Sequence, residues 1–223
     1  MHWTDYLGPL SQGAWVTVQL TFYSTLLGAV MAFAGGMGKL SRNPFLRGLA
    51  VVYVEVFRGT SLLVQLFWLY FALPLAGQAI GLDLRIPPVV AGVAALGLNI
   101  GAYGAEVVRG ALQSVKPGQA EAARALNFTP RQSLWRIALP QALPDMMPSF
   151  GNLAVQNLKD TALVSLISLG DLTFRAEQIR NFTQDSIGVY SLLLLMYFGM
   201  ALVLTAIMRA TERAVGRWRP VRR

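Results

Sequence analysis

Between Asp5 and Lys39 the chain runs 33 residues without a charged side chain. A helix rises about 1.5 Å per residue and the hydrocarbon core of a bilayer is about 30 Å thick, so about 20 apolar residues cross it. Further uncharged runs separate Arg58 from Asp83, Arg85 from Glu106 and Asp185 from Arg209. Core helices of soluble proteins rarely reach that length. The four runs predict membrane spans at about 14–38, 49–72, 88–112 and 188–209. Composition agrees, with 54% hydrophobic and 13% charged residues, against about 25% charge in an ordinary soluble domain.

The stretch from Ile137 to Leu169 is apolar overall but carries Pro140, Pro144 and Pro148, then Asn152, Gln156, Asn157, Lys159 and Asp160. It predicts a fifth crossing at about 144–165, fourth in chain order, with a proline-marked cytoplasmic entry. Such groups survive at membrane depth only where protein or a water-filled cavity satisfies them. The fold class expected is an all-α membrane protein with five transmembrane helices, a single domain over 1–223, without internal repeat or dividing linker. The N-terminal segment lacks a basic start and its apolar run is too long for a signal peptide, so it is expected to remain in the mature chain.

Basic residues orient the bundle. Lys39, Arg42 and Arg47 follow the first span; Arg109, Lys116, Arg124, Arg131 and Arg136 follow the third; Arg209, Arg213, Arg217, Arg219, Arg222 and Arg223 follow the last. These alternate segments hold 14 of the 19 basic residues, which places them in the cytoplasm and the N-terminus outside. The net charge of +8 is thus spread over membrane flanks, and no nucleic-acid module is present. With no cysteine and one histidine, His2, the chain has no disulfide scaffold, no Cys/His metal site and no histidine-based triad inside the fold. Catalysis and a bound cofactor are not expected of it.

The longest polar stretch, about 113–140, joins the third and fourth spans. Pro117-Gly118 is a turn signal, and Gln119 to Leu126 are mostly strong helix formers. Asn127 stands where that helix should stop, in the position that favours a left-handed residue. Thr129-Pro130 then reads as an N-cap with proline at the first helical position, opening a second short helix through Arg136. Two short helices on a tight turn make a rigid cytoplasmic knob; an amphipathic connector lying on the lipid surface is the alternative.

Glu121-Ala122-Ala123, Asn127 and Ile137-x-Leu139-Pro140 resemble the EAA loop of permease subunits in binding-protein-dependent ABC importers, E-A-A, three residues, G, nine residues, I-x-L-P. The spacing matches without a gap, and Asn127 replaces the glycine. Arg58-Gly59-Thr60-Ser61-Leu62-Leu63-Val64-Gln65 is similar to the R-G-T-P-L-L-V-Q segment of the polar amino-acid branch (histidine/glutamine/arginine type), with Ser61 for proline. Ala102-Tyr103-x-Ala105-Glu106-Val107-Val108-Arg109-Gly110 and Leu158-Lys159-Asp160-Thr161-Ala162-Leu163-Val164-Ser165 match two further segments of that branch. Within it the chain looks nearest the ectoine/hydroxyectoine permeases.

The resemblance implies a type I importer transmembrane fold in a bacterial inner membrane, working by alternating access. It implies a second permease subunit, of the same or a homologous chain, two ATP-binding subunits below that hold ATP and Mg, and a periplasmic solute-binding protein above. Glu121, Ala122, Ala123 and Asn127 are then the ATPase-coupling residues, with Ile137, Leu139 and Pro140 anchoring the knob to the fourth span. Helical spacing puts Asn99 and Tyr103 on one polar face of the third span, and Asn152 and Gln156 on one face of the fourth. Lining of a solute path at mid-depth is expected of these four, and the family match adds Lys159 and Gln65. Interhelical hydrogen bonding is the competing role. Glu55, Arg58 and Glu106 form an intramembrane charge set, expected to pair internally more than to gate. An ATP-independent secondary transporter or channel would leave the EAA-like loop without a purpose. Lone carboxylates without histidine or cysteine argue against an intramembrane enzyme. Gly28, Gly35, Gly36 and Gly38, with Gly97, Gly101 and Gly104, permit close helix approach. Trp3, Tyr6, Trp15, Trp135 and Trp218 are placed as interfacial aromatics.

Overall fold

The computed structural model describes residues 4–216; His2, Trp3, Arg217, Trp218, Arg219, Arg222 and Arg223 lie outside the described residues. Among the described residues all regular structure is helical. The elements are α1 (Thr4–Lys39), α2 (Pro44–Gly59), α3 (Leu62–Ala79), α4 (Pro88–Gln113), α5 (Pro117–Ala125), α6 (Pro130–Ser133), α7 (Leu139–Asp160), α8 (Leu172–Thr183) and α9 (Ser186–Gly216). A π-helical stretch, Leu134–Ala138, joins α6 to α7, and a 3-10 turn, Thr161–Ile167, follows α7. α1, α3, α4 and α9 are each long and apolar enough to cross a membrane. α7, whose prolines and polar residues lower its apolarity, completes the bundle by packing against α1, α4 and α9.

The central contact is α1 against α4, and small residues make it possible. A Cβ added at Gly36 would stand 2.7 Å from both the Ala105 carbonyl oxygen and Val108 Cβ, and one at Gly101 would stand 2.7 Å from Met31 Cβ. Without side chains at these points the two backbones approach closely and dispersion contacts hold them, since lipid supplies no hydrophobic drive between helices. Three buried clusters stack along this axis. Ala32, Val108, Leu112, Ala142 and Met146 form the cytoplasmic one. Leu20, Leu66, Leu96, Val164 and Ile167 lie further out, and Tyr6, Leu10, Leu172, Ala176 and Val189 close the outer end.

The second span differs from the unbroken helix expected over 49–72. α2 starts earlier, capped by the Asn43 side chain, which accepts from Phe45 N–H at 3.0 Å. It stops at Gly59, where Thr60 turns extended (φ −120°, ψ 154°) and α3 begins. The two pieces run on along α4: the Tyr53 hydroxyl donates to the Leu98 carbonyl at 2.7 Å, and Leu66 packs in the same cluster as Ala95 and Leu96. Glycine followed by two hydroxyl residues lowers helix preference at this point. Three carbonyls at the break are answered from within. Thr60 Oγ1 donates to Val56 O at 2.7 Å, and Gln65 Nε2 donates to Phe57 O at 2.9 Å and to Thr60 O at 3.2 Å. Further along, α3 widens to a π turn at Trp68–Ala72 just before Pro74, which has no N–H to return to the preceding turn.

The fourth span also departs from expectation. No separate helix ends at Arg136. α6 passes through the π stretch directly into α7, so the helical path is continuous over 130–160 and runs on as 3-10 helix to Ile167, close to the expected end at 165. The π turn again precedes a proline, Pro140, absorbing its missing donor. α8 is an element the sequence reading did not anticipate. Its N-cap is Asp171, whose carboxylate accepts from Thr173 and Phe174 N–H groups, each at 3.1 Å. Tyr6 is buried against α8 and so is not an interfacial aromatic, whereas Trp15 and Trp135 are exposed.

Replacing Gly36 by leucine should overpack the α1–α4 contact at a cost of about 1–3 kcal/mol. A lowered melting temperature in detergent, with Gly48→Leu (where no neighbour lies within 4 Å) close to wild type, would bear this out.

Candidate functional site

The cytoplasmic knob is built by two interlocking caps. At the end of α5 the Asn127 N–H bonds the Arg124 carbonyl and the Phe128 N–H bonds the Ala123 carbonyl, each at 2.9 Å, with Asn127 left-handed at φ 58°. This is a Schellman closure with asparagine in the glycine position. Two residues later Thr129 Oγ1 accepts from Gln132 N–H at 3.3 Å, while Thr129 N–H donates to Gln132 Oε1 at 2.9 Å, a full capping box over Pro130. α5 is thus locked by a two-residue turn to a helix that continues into the membrane. Gln141 Nε2 reaches back to Gln119 Oε1 at 3.2 Å, tying α7 to α5 a second time.

Of the predicted coupling residues, Glu121, Ala122 and Asn127 are exposed and Ala123 is fully buried, so Ala123 holds the knob together instead of offering surface. Leu126 is 68% exposed and Trp135 54% exposed, so the knob also offers apolar surface. Leu139 packs with Leu134 and Ala138 on the cytoplasmic cluster; Ile137 is half-buried and Pro140 exposed.

The structure divides the predicted polar face into two groups. Asn99 is buried, donating to Phe57 O and to Gln65 Oε1, each at 3.1 Å. Both amides are therefore engaged in closing the break in the second span. Tyr103, Asn152, Gln156 and Lys159 are exposed. Gly151 abuts Met208 of α9 and Phe150 abuts Gly104 of α4, so Asn152 lies near the level of Tyr103, with Gln156 one turn further out. Gln156 and Lys159 are the side chains that interact with the Asp160 carboxylate. Asn157, which the sequence reading left without a role, is buried and donates to Ser24 Oγ at 2.7 Å and Thr25 Oγ1 at 2.9 Å. It is the polar lock between α7 and α1.

The charge set splits as well. Glu106 takes Lys39 from α1 on one oxygen and Arg109 on the other, with Arg109 Nη2 at 2.7 Å. Glu55 stands 3.6 Å from the same lysine and is itself well exposed. Arg58 joins neither carboxylate; its guanidinium lies over the Tyr103 ring, 5.4 Å from the centroid. The role of Lys39 as the bridge between α1, α2 and α4 had no signal in the sequence beyond its place at a span end. Among the described residues no group of histidine, cysteine and acidic side chains is arranged to hold a metal.

Comparison with known proteins follows the same outline. A family model described as "Binding-protein-dependent transport system inner membrane component" matches residues 24–217. The chain is 67% identical over 223 residues to the "Probable amino-acid ABC transporter permease protein y4tF" of Sinorhizobium fredii (strain NBRC 101917 / NGR234), covering 100% of this chain and 94% of the relative. It is 34% identical to the "Glutamine transport system permease protein GlnP" of Escherichia coli (strain K12), covering 92% of this chain and 91% of the relative. A solved structure, "Crystal structure of an amino acid ABC transporter with histidines", superposes with a TM-score of 0.84 at 35% identity, covering 95% of this chain and 96% of that one.

The knob's closure is testable on its own. Asn127→Val forces a β-branched residue into the left-handed region at about 1–2 kcal/mol, and should speed hydrogen exchange of the amides over 117–133. Asn127→Gly should leave exchange there unchanged.

Proposed function

The chain belongs to the family of binding-protein-dependent transport system inner membrane components, and we propose from this premise that its cytoplasmic knob is the site where ATP-driven motion enters the bundle. It is a multi-pass permease subunit of an amino-acid ABC importer with the all-helical type I transmembrane fold. In the proposed assembly two ATP-binding subunits, which hold ATP and Mg, dock below, a second permease subunit of the same or a homologous chain pairs beside, and a periplasmic solute-binding protein delivers cargo above. Hydrolysis belongs to the partners.

One observation carries this reading. α5, with Glu121 and Ala122 outward, is locked through Asn127 and Thr129 to a helical path that runs on over 130–160. A small alanine-rich surface enters a groove of a partner without steric cost, Leu126 and Trp135 supply apolar contact, and Glu121 meets a cation there. Force on the knob then passes into α7 without a joint and, through Asn157, into α1. Tyr103, Asn152, Gln156 and Lys159 line the solute path, and Asn99 and Gln65 support it from behind. The cargo is a small polar amino acid, as the names of the relatives suggest, with an ectoine-like zwitterion as the second choice.

Reconstitution of the complete transporter tests this. Uptake of glutamine, arginine, cystine and ectoine, each with and without ATP, selects the cargo; uptake independent of ATP would contradict the proposal. Glu121→Arg should lower ligand-stimulated ATP hydrolysis by about tenfold or more, the scale of reversing one interface charge, while the chain stays inserted. Gln156→Leu should reduce uptake with the knob intact, and an unaltered rate and affinity would remove Gln156 from the path.

A further inference from the structure

Arg58, in the last turn of α2 just ahead of the spanning helix α3, is a cation without an acid among the described residues. Among the described residues it forms no ion pair, and its guanidinium lies over the face of Tyr103, 5.4 Å from the ring centroid. The carboxylates around it are already engaged: Glu55 with Lys39, Glu106 with Lys39 and Arg109, and Asp160 with Gln156 and Lys159. An unpaired guanidinium is strongly disfavoured against hydrocarbon, so this surface of α2 does not face lipid.

Helical geometry identifies what it does face. On α4, Asn99 points at α2 through the Phe57 carbonyl, and Gly104 meets Phe150 of α7. Tyr103 lies about 40° from Asn99 and about 100° from Gly104 on the helical wheel, so it forms the floor between α2 and α7. On α7, Gly151 marks the side toward α9; Asn152 lies about 100° and Gln156 about 140° around the helix from it, turned away from α9 toward the same groove. Arg58, Tyr103 and Gln156 are thus exposed on neighbouring helices around one furrow. The aromatic ring fixes the plane of the guanidinium and leaves its N–H fork free, and a planar fork is complementary to a carboxylate, which it binds through two parallel hydrogen bonds.

We propose that Arg58, oriented by Tyr103, receives the α-carboxylate of the transported amino acid as it passes through this furrow. The inference rests on the reading that the furrow faces the translocation path. Tyr103 is a positioning residue here, and Arg58 the binding one.

The assembled transporter, purified without its solute-binding protein, provides the test. The probes are the amino acid selected by the uptake panel and its carboxamide, measured by direct binding to the complex. Wild type should prefer the acid. Arg58→Gln should weaken acid binding by about tenfold or more, the scale of a charge-assisted hydrogen bond, and bind acid and amide alike; Arg58→Lys should recover part of the preference, and Tyr103→Leu should weaken it. A preference that survives in Arg58→Gln, or no preference in wild type, overturns the assignment. So does dissociation of the permease pair in Arg58→Gln on size exclusion, which would mean that Arg58 pairs with an acid of the second permease. ATP-independent uptake by wild type would instead strike the functional reading beneath it, so the two failures are separable.

Discussion

A backbone amide at membrane depth has no water to bond, so every break in a spanning helix must be answered by the chain itself. Much of this structure follows from that demand. The second span breaks at Thr60, and the Phe57 carbonyl left behind is taken by both Gln65 and Asn99. Pro74 and Pro140 are met by π turns placed just ahead of them, at Trp68–Ala72 and Leu134–Ala138. Hydroxyls of α1 bond their own preceding turn, as Thr21 does to Thr17 O at 2.8 Å, or accept from α7 or from Leu172 N–H of α8. Polar side chains that read as solute-facing in a sequence are partly consumed by this internal accounting.

The same economy gives the knob its mechanical character. A π turn widens a helix without ending it, so the entry to the fourth span keeps its connection to α6 despite Pro140. Two caps leave no free residue between α5 and that path beyond Phe128. Asn157, bonded to Ser24 and Thr25, then couples α7 to α1, whose glycine face is packed on α4. In the proposed cycle the knob, α7, α1 and α4 therefore move as one body against the second permease, and the furrow of Arg58, Tyr103 and Gln156 opens or closes between the two.

The sequence was most legible where one physical rule decides alone. Charge-free length located the spans of α1, α4 and α9, and basic flanks oriented them. The αL position of Asn127 and the Thr129-Pro130 start were readable because capping chemistry is local. Breaks were not readable in the same way. Gly59-Thr60-Ser61 stands inside an uncharged run, and hydropathy does not register that Gln65 and Asn99 wait nearby to satisfy it. α8 was missed because its apolar side, Leu172 and Ala176, is covered by Tyr6 and Leu10 from the far end of the chain, a long-range contact that no window reveals. Ala123 shows the limit of motif transfer: the spacing located the knob, and only packing showed which alanine faces inward.

The account depends on the knob and α7 being one rigid path. The chain has no cysteine, so spin labels at Arg124→Cys and Asn152→Cys report that path directly by electron–electron distance measurement in the reconstituted transporter. Between nucleotide-free and ATP-trapped states the 124–152 distance should stay the same, while the distance from residue 152 to a label on the second permease changes. A 124–152 distance that shifts with nucleotide, with α7 fixed relative to the second permease, would contradict it.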